Sequence, residues 1–384
     1  MKNKNVLIAV FLVVLTVLAC FAMYYRDLTQ PDQAVFFSDQ ASLKQIAHKN
    51  HVPLKEILHQ LGHHDRAHWQ LPRDVPLAQL DIDLALVKDA LEHERDANPL
   101  ADVAKFILWA LLLALVVLYL LRRKNITKTR LIAMPLAVLL FGVLLADSPN
   151  PMEATVKLFK ILNKMAGEPV VVIISFALFT LFSIWGAKLL CSWGCHLGTL
   201  QESLFNIPLF KKKFKFQVPF ALSLAVRLVV FVAFICLLFG IGLDIKNYVV
   251  YHQVNYFKLF RFSHLAPIAL YSLPLLLIAS FFIFRPFCQF ICPFGLWAWL
   301  LQNIALNKIK IDRDKCIDCK RCEKACPTQA MKAIYDNKRT LCLPDCWSCG
   351  KCIDVCPTDA IHYSLPSKTP SQPTTKNQAT TQIE

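Results

Sequence analysis

The sequence predicts a membrane all-α protein of about six transmembrane helices with an internal hairpin repeat, ending in a small α+β domain. Three observations carry that reading. The chain has 384 residues, 55% of them hydrophobic, and a mean hydropathy of +0.43, too apolar for an ordinary soluble domain of this length. Six apolar segments are long enough, or nearly so, to cross a bilayer as helices: Val6 to Tyr25, Val103 to Leu121, Leu131 to Ala146, Pro169 to Leu190, Val218 to Leu243 and Leu265 to Phe284. Near the C-terminus, eight cysteines fall in two runs of one spacing, thirty residues apart.

Taken in order, residues 1–25 read as a retained N-terminal transmembrane anchor, because no small-residue cleavage site follows in "CFAMYYRDL". Residues 26–102 read as an external small helical domain. Leu43, Ile46 and Ala47, then Leu54, Ile57, Leu58 and Leu61, recur at helical spacing on either side of "NHVP", whose Pro53 suits a helix start. Residues 103–130 hold a transmembrane helix and a basic loop. Residues 131–310 form a four-helix core, in which the short third segment carries Pro135. Residues 311–364 hold the cysteine runs. The tail, 365–384, is Pro, Ser, Thr and Gln and cannot bury enough apolar area to offset ordering, so it reads as disordered.

Charge sets the orientation. Lys2 and Lys4, "RRKNITKTR" (122 to 130) and "KKKFK" (211 to 215) all fall on one side of a six-helix count, the cytoplasmic side by the positive-inside rule. Both termini are then cytoplasmic in a bacterial inner (cytoplasmic) membrane. Lys246, Lys258 and Arg261 lie on the outer side and weaken the rule locally. The net charge of +15 is concentrated beside the membrane segments, where it sets topology and meets anionic lipid. A nucleic-acid partner is not implied.

Of the fifteen cysteines, Cys20 and Cys236 lie inside apolar segments and the remaining thirteen are cytoplasmic, with none in an external loop. A disulfide framework needs an oxidising compartment, so these thiols are placed for metal or redox work. Cys316, Cys319, Cys322 and Cys326 before Pro327, and Cys346, Cys349, Cys352 and Cys356 before Pro357, have the spacing of the bacterial ferredoxin motif. In that motif the fourth cysteine reaches the other cluster. The expected ligand sets are Cys316, Cys319, Cys322 and Cys356 for one 4Fe-4S cluster, and Cys346, Cys349, Cys352 and Cys326 for a second. Tetrahedral zinc takes its ligands in two pairs and has no use for the third cysteine. The C-terminal α+β domain is therefore a two-cluster bacterial-type ferredoxin, with Cys342 as an extra thiol.

A second repeat lies in the membrane part. "CSWGCHLGTLQESLFNI" (191 to 207) and "CQFICPFGLWAWLLQNI" (288 to 304) share Cys, Cys, Gly, Leu, Asn and Ile at an offset of ninety-seven. Each copy follows an apolar segment at its cytoplasmic end, which suggests two hairpins, segments three with four and five with six, about an axis along the membrane normal. Three readings compete for Cys191, Cys195, Cys288 and Cys292: ligands of a further centre, dithiols in electron transfer, or small apolar packing. Haem attachment fits poorly, because "CSWGCH" is one residue longer than Cys-x-x-Cys-His and faces inward.

Together, the membrane helices, the two cytoplasmic Cys-x3-Cys motifs and the paired ferredoxin motifs resemble the NapH-like membrane polyferredoxins, a group related to NosR and CcoG, over residues 131 to 362. "FCQFICPFG" matches the family motif at Cys288, Cys292 and Pro293; "LLCSWGCHLG" matches at Cys191 and Cys195 but has His196 where the family has Pro. The resemblance implies oxidation of membrane quinol, with electrons passed through iron-sulfur clusters to a partner redox protein. The alternatives are a copper reductase, as in CcoG-like relatives, and a redox-responsive regulator or assembly factor.

Several residues remain. Arg227 stands near the middle of the fifth segment, where a charge is expected to face an interior partner or a polar cavity, and is a candidate for quinone or inter-helix contact. "DSPNPMEATVKLF" (147 to 159), Asp244, His252 and His264 are outer-face candidates for a quinol site. His59 with His63, and His64 with His68, are i,i+4 pairs able to bind a transition metal, though a solvated face explains them as well.

Overall fold

The structure is a computed structural model that describes residues 7–8, 10–18, 37–50, 54, 57–58, 74–80, 84, 87, 99–120, 126–144, 150–163, 169–207, 215–242, 248–261, 266–336 and 344–364. Cys20, His59, His63, His64, His68, Asp244, His264, Cys342 and the 365–384 tail lie outside the described residues.

The chain is mostly helical. Ile126–Leu144 and Phe220–Phe239 are long and apolar enough to cross a membrane, while Ala104–Leu120, Val170–Gly186 and Pro267–Phe282 are apolar but shorter. These correspond to the second to sixth apolar segments. The first is helical over residues 10–18. Pro135 does not break the third segment: the helix Ile126–Ala137 runs on as a π-helical stretch, Val138–Leu144. A proline removes one backbone donor, and a wider turn is one way for a helix to absorb that loss.

The ninety-seven-residue repeat extends well beyond the cysteines. Ile126–Ala137 corresponds to part of Phe220–Phe239, Pro169–Gly186 to Pro267–Phe282, the π-turn Leu190–Gly194 to Pro286–Phe290, and His196–Asn206 to Pro293–Leu301. Within the first half Ile126–Ala137 packs against His196–Asn206; within the second, Phe220–Phe239 packs against Pro286–Phe290 and Pro293–Leu301. His196 occupies the first helical position after an extended Cys195, as Pro293 does after Cys292. The departure from the proline pattern therefore leaves the turn unchanged.

The C-terminal domain is an α+β unit. Strand β1 (Lys308–Ile311) pairs antiparallel with β2 (Ile361–Ser364) in the register Ile309↔Tyr363, tying the two ends of the cysteine-rich segment together. Between them the thirty-residue repeat is visible in the backbone. Asp318 and Lys320 in the first loop, and Ser348 and Gly350 in the second, all take positive φ, and each loop leads into a short helix, Arg321–Ala325 or Lys351–Asp354. A separate small core of Leu43, Ile46, Ala47, Ile57, Leu58, Leu77 and Val87 lies in the 37–87 segment. Its Leu43–Lys49 helix starts with a capping box between Ser42 and Gln45.

The domain sits on the membrane-segment helices by backbone contact as well as side chains. Leu306 N–H donates to Ile184 O (2.7 Å) and Asn307 N–H to Trp185 O (3.0 Å). The Tyr363 hydroxyl donates to Gly186 O (3.1 Å). Gly350, at φ +77, has no room for a Cβ, which would meet Ile126 Cγ2 at 2.8 Å and Leu120 Cδ2 at 3.0 Å. Gly350→Ala should therefore lower stability by at least about 1–2 kcal/mol from the left-handed backbone alone, read as a fall in the thermal midpoint of the detergent-purified protein.

Candidate iron-sulfur centres

Two cavities in the C-terminal domain are each lined by four cysteines. One, with about 370 Å³ of empty space, is lined by Cys326, Cys346, Cys349 and Cys352 together with Trp347 and Met331. The other, about 330 Å³, is lined by Cys316, Cys319, Cys322 and Cys356 together with Ile317 and Tyr335. Each set takes three cysteines from one run and the last from the other, which is the crossed pattern of a duplicated ferredoxin. The left-handed residues within each run turn the short loop so that three thiols face inward, and the extended Cys-Pro step carries the fourth across.

The donor chemistry fits anionic sulfur. The N–H of Ala360 donates to Cys356 Sγ at 3.3 Å. Although burial pulls the other way, backbone N–H groups of Thr358, Ala360 and Ile361 hold the Cys356 thiol below its ordinary value. Cys326 receives backbone N–H bonds from Thr328 and Met331, yet burial keeps its thiol raised. Burial likewise pushes Cys322 and Cys352 up, so these two become thiolates only when a metal displaces the proton. The threonine hydroxyls repeat too: Thr328 lies 3.6 Å from Cys326 Sγ and Thr358 3.8 Å from Cys356 Sγ. Among the described residues no three His, Cys, Asp or Glu side chains converge on a point where one ion would sit. The four-thiol sets are instead spread around their cavities.

The cysteines of the two Cys-x3-Cys motifs are all buried: Cys191, Cys195, Cys288 and Cys292 are each less than one-tenth exposed. The repeat brings the two pairs within electrostatic reach of one another, with Cys288 facing Cys195, Cys292 and Cys191. The N–H groups of Leu197 and Gly198 point at Cys195, and those of Phe294 and Gly295, ninety-seven residues on, point at Cys292. Both glycines are needed for close approach. A Cβ on Gly198 would meet Cys191 O at 3.0 Å, and one on Gly295 would meet Cys288 O at 2.8 Å.

Around these thiols lie two buried ionic groups that sequence reading did not find. Glu202 binds Arg130 (Nε 3.0 Å, Nη2 2.7 Å) and Arg285 (Nε 3.0 Å, Nη2 2.7 Å), with Lys351 Nζ at 3.3 Å. Asp345 binds Lys188 Nζ at 2.5 Å and Arg227 Nη2 at 2.7 Å. Arg130 and Arg227 are ninety-seven residues apart, and so are Lys188 and Arg285. Only the acids break the repeat: Glu202 comes from the membrane part, Asp345 from the loop just before Cys346. The cations also hold the cysteine turns. Arg285 donates to Cys191 O and to Ser192 O (2.8 Å), while Lys188 (3.0 Å) and Arg227 (2.8 Å) donate to Gly295 O.

Arg227, a candidate for quinone or inter-helix contact, lies two helical turns from the start of Phe220–Phe239, fully buried, and its Nη1 and Nη2 donate to Gly295 O and Asp345. His196 is also fully buried; it meets the rings of Phe257 and Phe260 edge-on, 5.0 and 4.7 Å between centroids. Of the outer-face candidates, Asn150 caps Pro151–Leu162 by accepting from Glu153 N–H (3.1 Å), and His252 lies in the single turn Val250–Gln253. The structure does not bring them together with the cysteines.

Trp347 links the two regions. It sits between Cys346 and Ser348, lines the first cavity, and stacks beneath Lys188 Nζ (4.8 Å) and Arg285 Cζ (5.2 Å). Around it, Trp193 Nε1 donates to Ser348 O (3.2 Å) and Cys346 N–H donates to Gln302 Oε1 (3.1 Å). The cavity made by Cys326, Cys346, Cys349 and Cys352 therefore lies on the side of the helices that carry the Cys-x3-Cys motifs, and the other is open to solvent at the exposed Cys319.

Comparison with known proteins agrees with this geometry. A 4Fe-4S dicluster domain model matches residues 309–363, and a 4Fe-4S binding domain model matches residues 168–217 and 265–311, the stretches that carry the two Cys-x3-Cys motifs. The chain thus carries iron-sulfur domains, and the dicluster match fits two clusters. Among curated proteins it is 32% identical over 162 residues to YccM of Escherichia coli, whose name points to electron transport, covering 39% of this chain and 44% of that protein. It is 26% identical over 151 residues to the uncharacterized protein MJ0749 of Methanocaldococcus jannaschii, covering 37% and 52%. It is 26% identical over 164 residues to the regulatory protein NosR of Pseudomonas aeruginosa, covering 38% and 21%. The matched region is thus under two-thirds of each relative's length. No solved structure matches significantly.

Burial alone would raise both carboxylates, but the attraction of their cations outweighs it and holds Glu202 well below the usual range and Asp345 below its ordinary value. The stability they contribute is fully present above the unfolded carboxylate value of about 4. It is lost only as pH falls well below that. Glu202→Gln leaves Arg130 and Arg285 without a countercharge and should cost about 3–5 kcal/mol, seen as loss of folded, iron-loaded protein at neutral pH.

Proposed function

We propose that this chain is a multi-pass membrane electron-transfer protein of the NapH-like type, moving electrons between the quinone pool and a partner redox protein. The observation that carries the reading is the stacking of three four-cysteine sites in one body: buried membrane-part thiols, the facing cavity, and a solvent-facing cavity. When bound, 4Fe-4S clusters supply one-electron transfer, at potentials that burial and hydrogen bonds to sulfur tune. Cys316, Cys319, Cys322 and Cys356 would hold one and Cys326, Cys346, Cys349 and Cys352 the second. Cys191, Cys195, Cys288 and Cys292 would hold a third.

The membrane reading rests on what the helices expose. Leu115, Ile132, Val229, Tyr271 and Leu275, on four different apolar helices, are all more than half exposed. Large exposed apolar surface on a folded chain marks contact with lipid or another apolar partner. The quinone pool is the substrate that the resemblance to NapH-like proteins implies, and the bacterial inner membrane with cytoplasmic termini is the placement that the basic loops imply. The chain's own residues exclude water from the inner thiols, fix the cysteine turns through Arg285, Lys188 and Arg227, and seat the ferredoxin unit through Asp345 and Trp347.

Three measurements test this. Anaerobically purified protein should contain about twelve irons per chain, taking four per cubane, and a reduced menaquinone analogue should reduce the clusters within seconds as followed by EPR. Reduction by dithionite but not by quinol would remove the quinol reading. Replacing Cys322 and Cys352 together by Ser should abolish quinol-to-acceptor electron transfer; transfer that survives would mean the clusters sense rather than conduct.

A further inference from the structure

Resting on the reading above, we infer that the cations buried around Cys191, Cys195, Cys288 and Cys292 make the membrane-part centre the highest-potential of the three. Among the described residues the fully buried ionised groups are Arg130, Lys188, Arg227 and Arg285 against Glu202 and Asp345. Four cations against two carboxylates leave two positive charges in the interior. Uncompensated buried charge is costly. A tetrathiolate iron-sulfur centre is an anion in either redox state and supplies the missing countercharge.

Reduction adds one more negative charge, so a neighbouring buried cation favours the reduced state. The cations are placed to act on these thiols. Arg285 acts on Cys191, Cys195 and Cys288, Lys188 on Cys191, and Arg227 on Cys292. Other cysteines are the strongest charges at Cys191, Cys288 and Cys292 too, but there a cation acts beside them, whereas the charges that stand out at Cys322, Cys326 and Cys352 are cysteines alone. Lys320 and Arg321 line the solvent-facing cavity but are exposed, where water and salt screen them; Lys351 lines the other cavity, but its Nζ is held on Glu202 (3.3 Å) and Asn206 (3.1 Å).

Hydrogen bonds to sulfur do not reverse the order. Cys195 and Cys292 each receive two backbone N–H groups, comparable to the two on Cys326 and to the two on Cys322 and three on Cys356. Burial alone would lower the potential of the inner centre by disfavouring added charge. Two surplus cations in the same low-dielectric region are screened less than surface charges and act in the opposite direction. The three centres therefore differ mainly in their buried charge.

The test is an anaerobic potentiometric titration of the full-length protein in detergent, followed by EPR, with iron assayed on the same sample. The inner centre is assigned as the signal lost in Cys195→Ser and Cys292→Ser. It should titrate highest of the three. Lys188→Gln should lower the reduced-to-oxidised ratio of that signal by about tenfold at fixed ambient potential, a shift of about 59 mV for one electron. Lys188→Arg should restore it, and the two ferredoxin signals should move little. About eight irons and no signal lost in the Cys→Ser variants would overturn the third centre itself. About twelve irons with the inner signal titrating below either ferredoxin signal, or unmoved in Lys188→Gln, would overturn the charge argument alone. If Lys188→Gln does not fold, the titration order in the unaltered protein decides.

Discussion

Two buried carboxylates, each gripped by two cations from opposite halves of a repeat, are the constraint on which the rest of the structure depends. Glu202 joins Arg130 of the first half to Arg285 of the second. Asp345 joins Arg227 of the second half to Lys188 of the first. A buried pair of this kind adds little net stability compared with apolar packing, but breaking it is severe. Its value is in specifying one arrangement. The second half carries neither carboxylate and the first leaves Lys188 without one, so the pairing favours the register that brings the cysteine pairs together.

That the second acid comes from the ferredoxin unit makes docking part of the same constraint. Asp345 stands immediately before Cys346, and Trp347 immediately after it lies under Lys188 and Arg285. The loop that wraps one cluster site is thereby also the loop that completes the ionic core of the helical part. Gly350, in a left-handed turn of that loop, lets the backbone close on Ile126 and Leu120. Electron transfer depends steeply on separation, and an interface with this many directional contacts holds the separation of the centres constant.

Much of the cysteine chemistry was legible in the sequence because ligand spacing in a duplicated motif is local. The crossed sets follow from two runs thirty residues apart, and each set lines one cavity. The ninety-seven-residue offset was legible too, but only at Cys, Gly, Leu, Asn and Ile. The same offset relates Arg130 to Arg227 and Lys188 to Arg285, and an alignment extended to the cations would have exposed the ionic core. Arg227 was read as a membrane-embedded charge because the apolar run around it carries no acid; its partner lies over a hundred residues away. His196 stands where the family motif has Pro, yet it fills the same first helical position as Pro293.

By itself the sequence determined the composition of the chain's parts: apolar segments, basic loops, two ferredoxin runs and a paired Cys-x3-Cys motif. These are set by patterns within a few turns of chain, where hydropathy, proline placement and ligand spacing act directly. The tertiary structure alone decided which cluster site faces the inner thiols, that Asp345 rather than a membrane acid completes the second ionic group, and that the interior carries more cations than carboxylates. Each of these depends on pairing between residues far apart in sequence. Burial, which gives such pairs their energetic weight, exists only once the chain has folded.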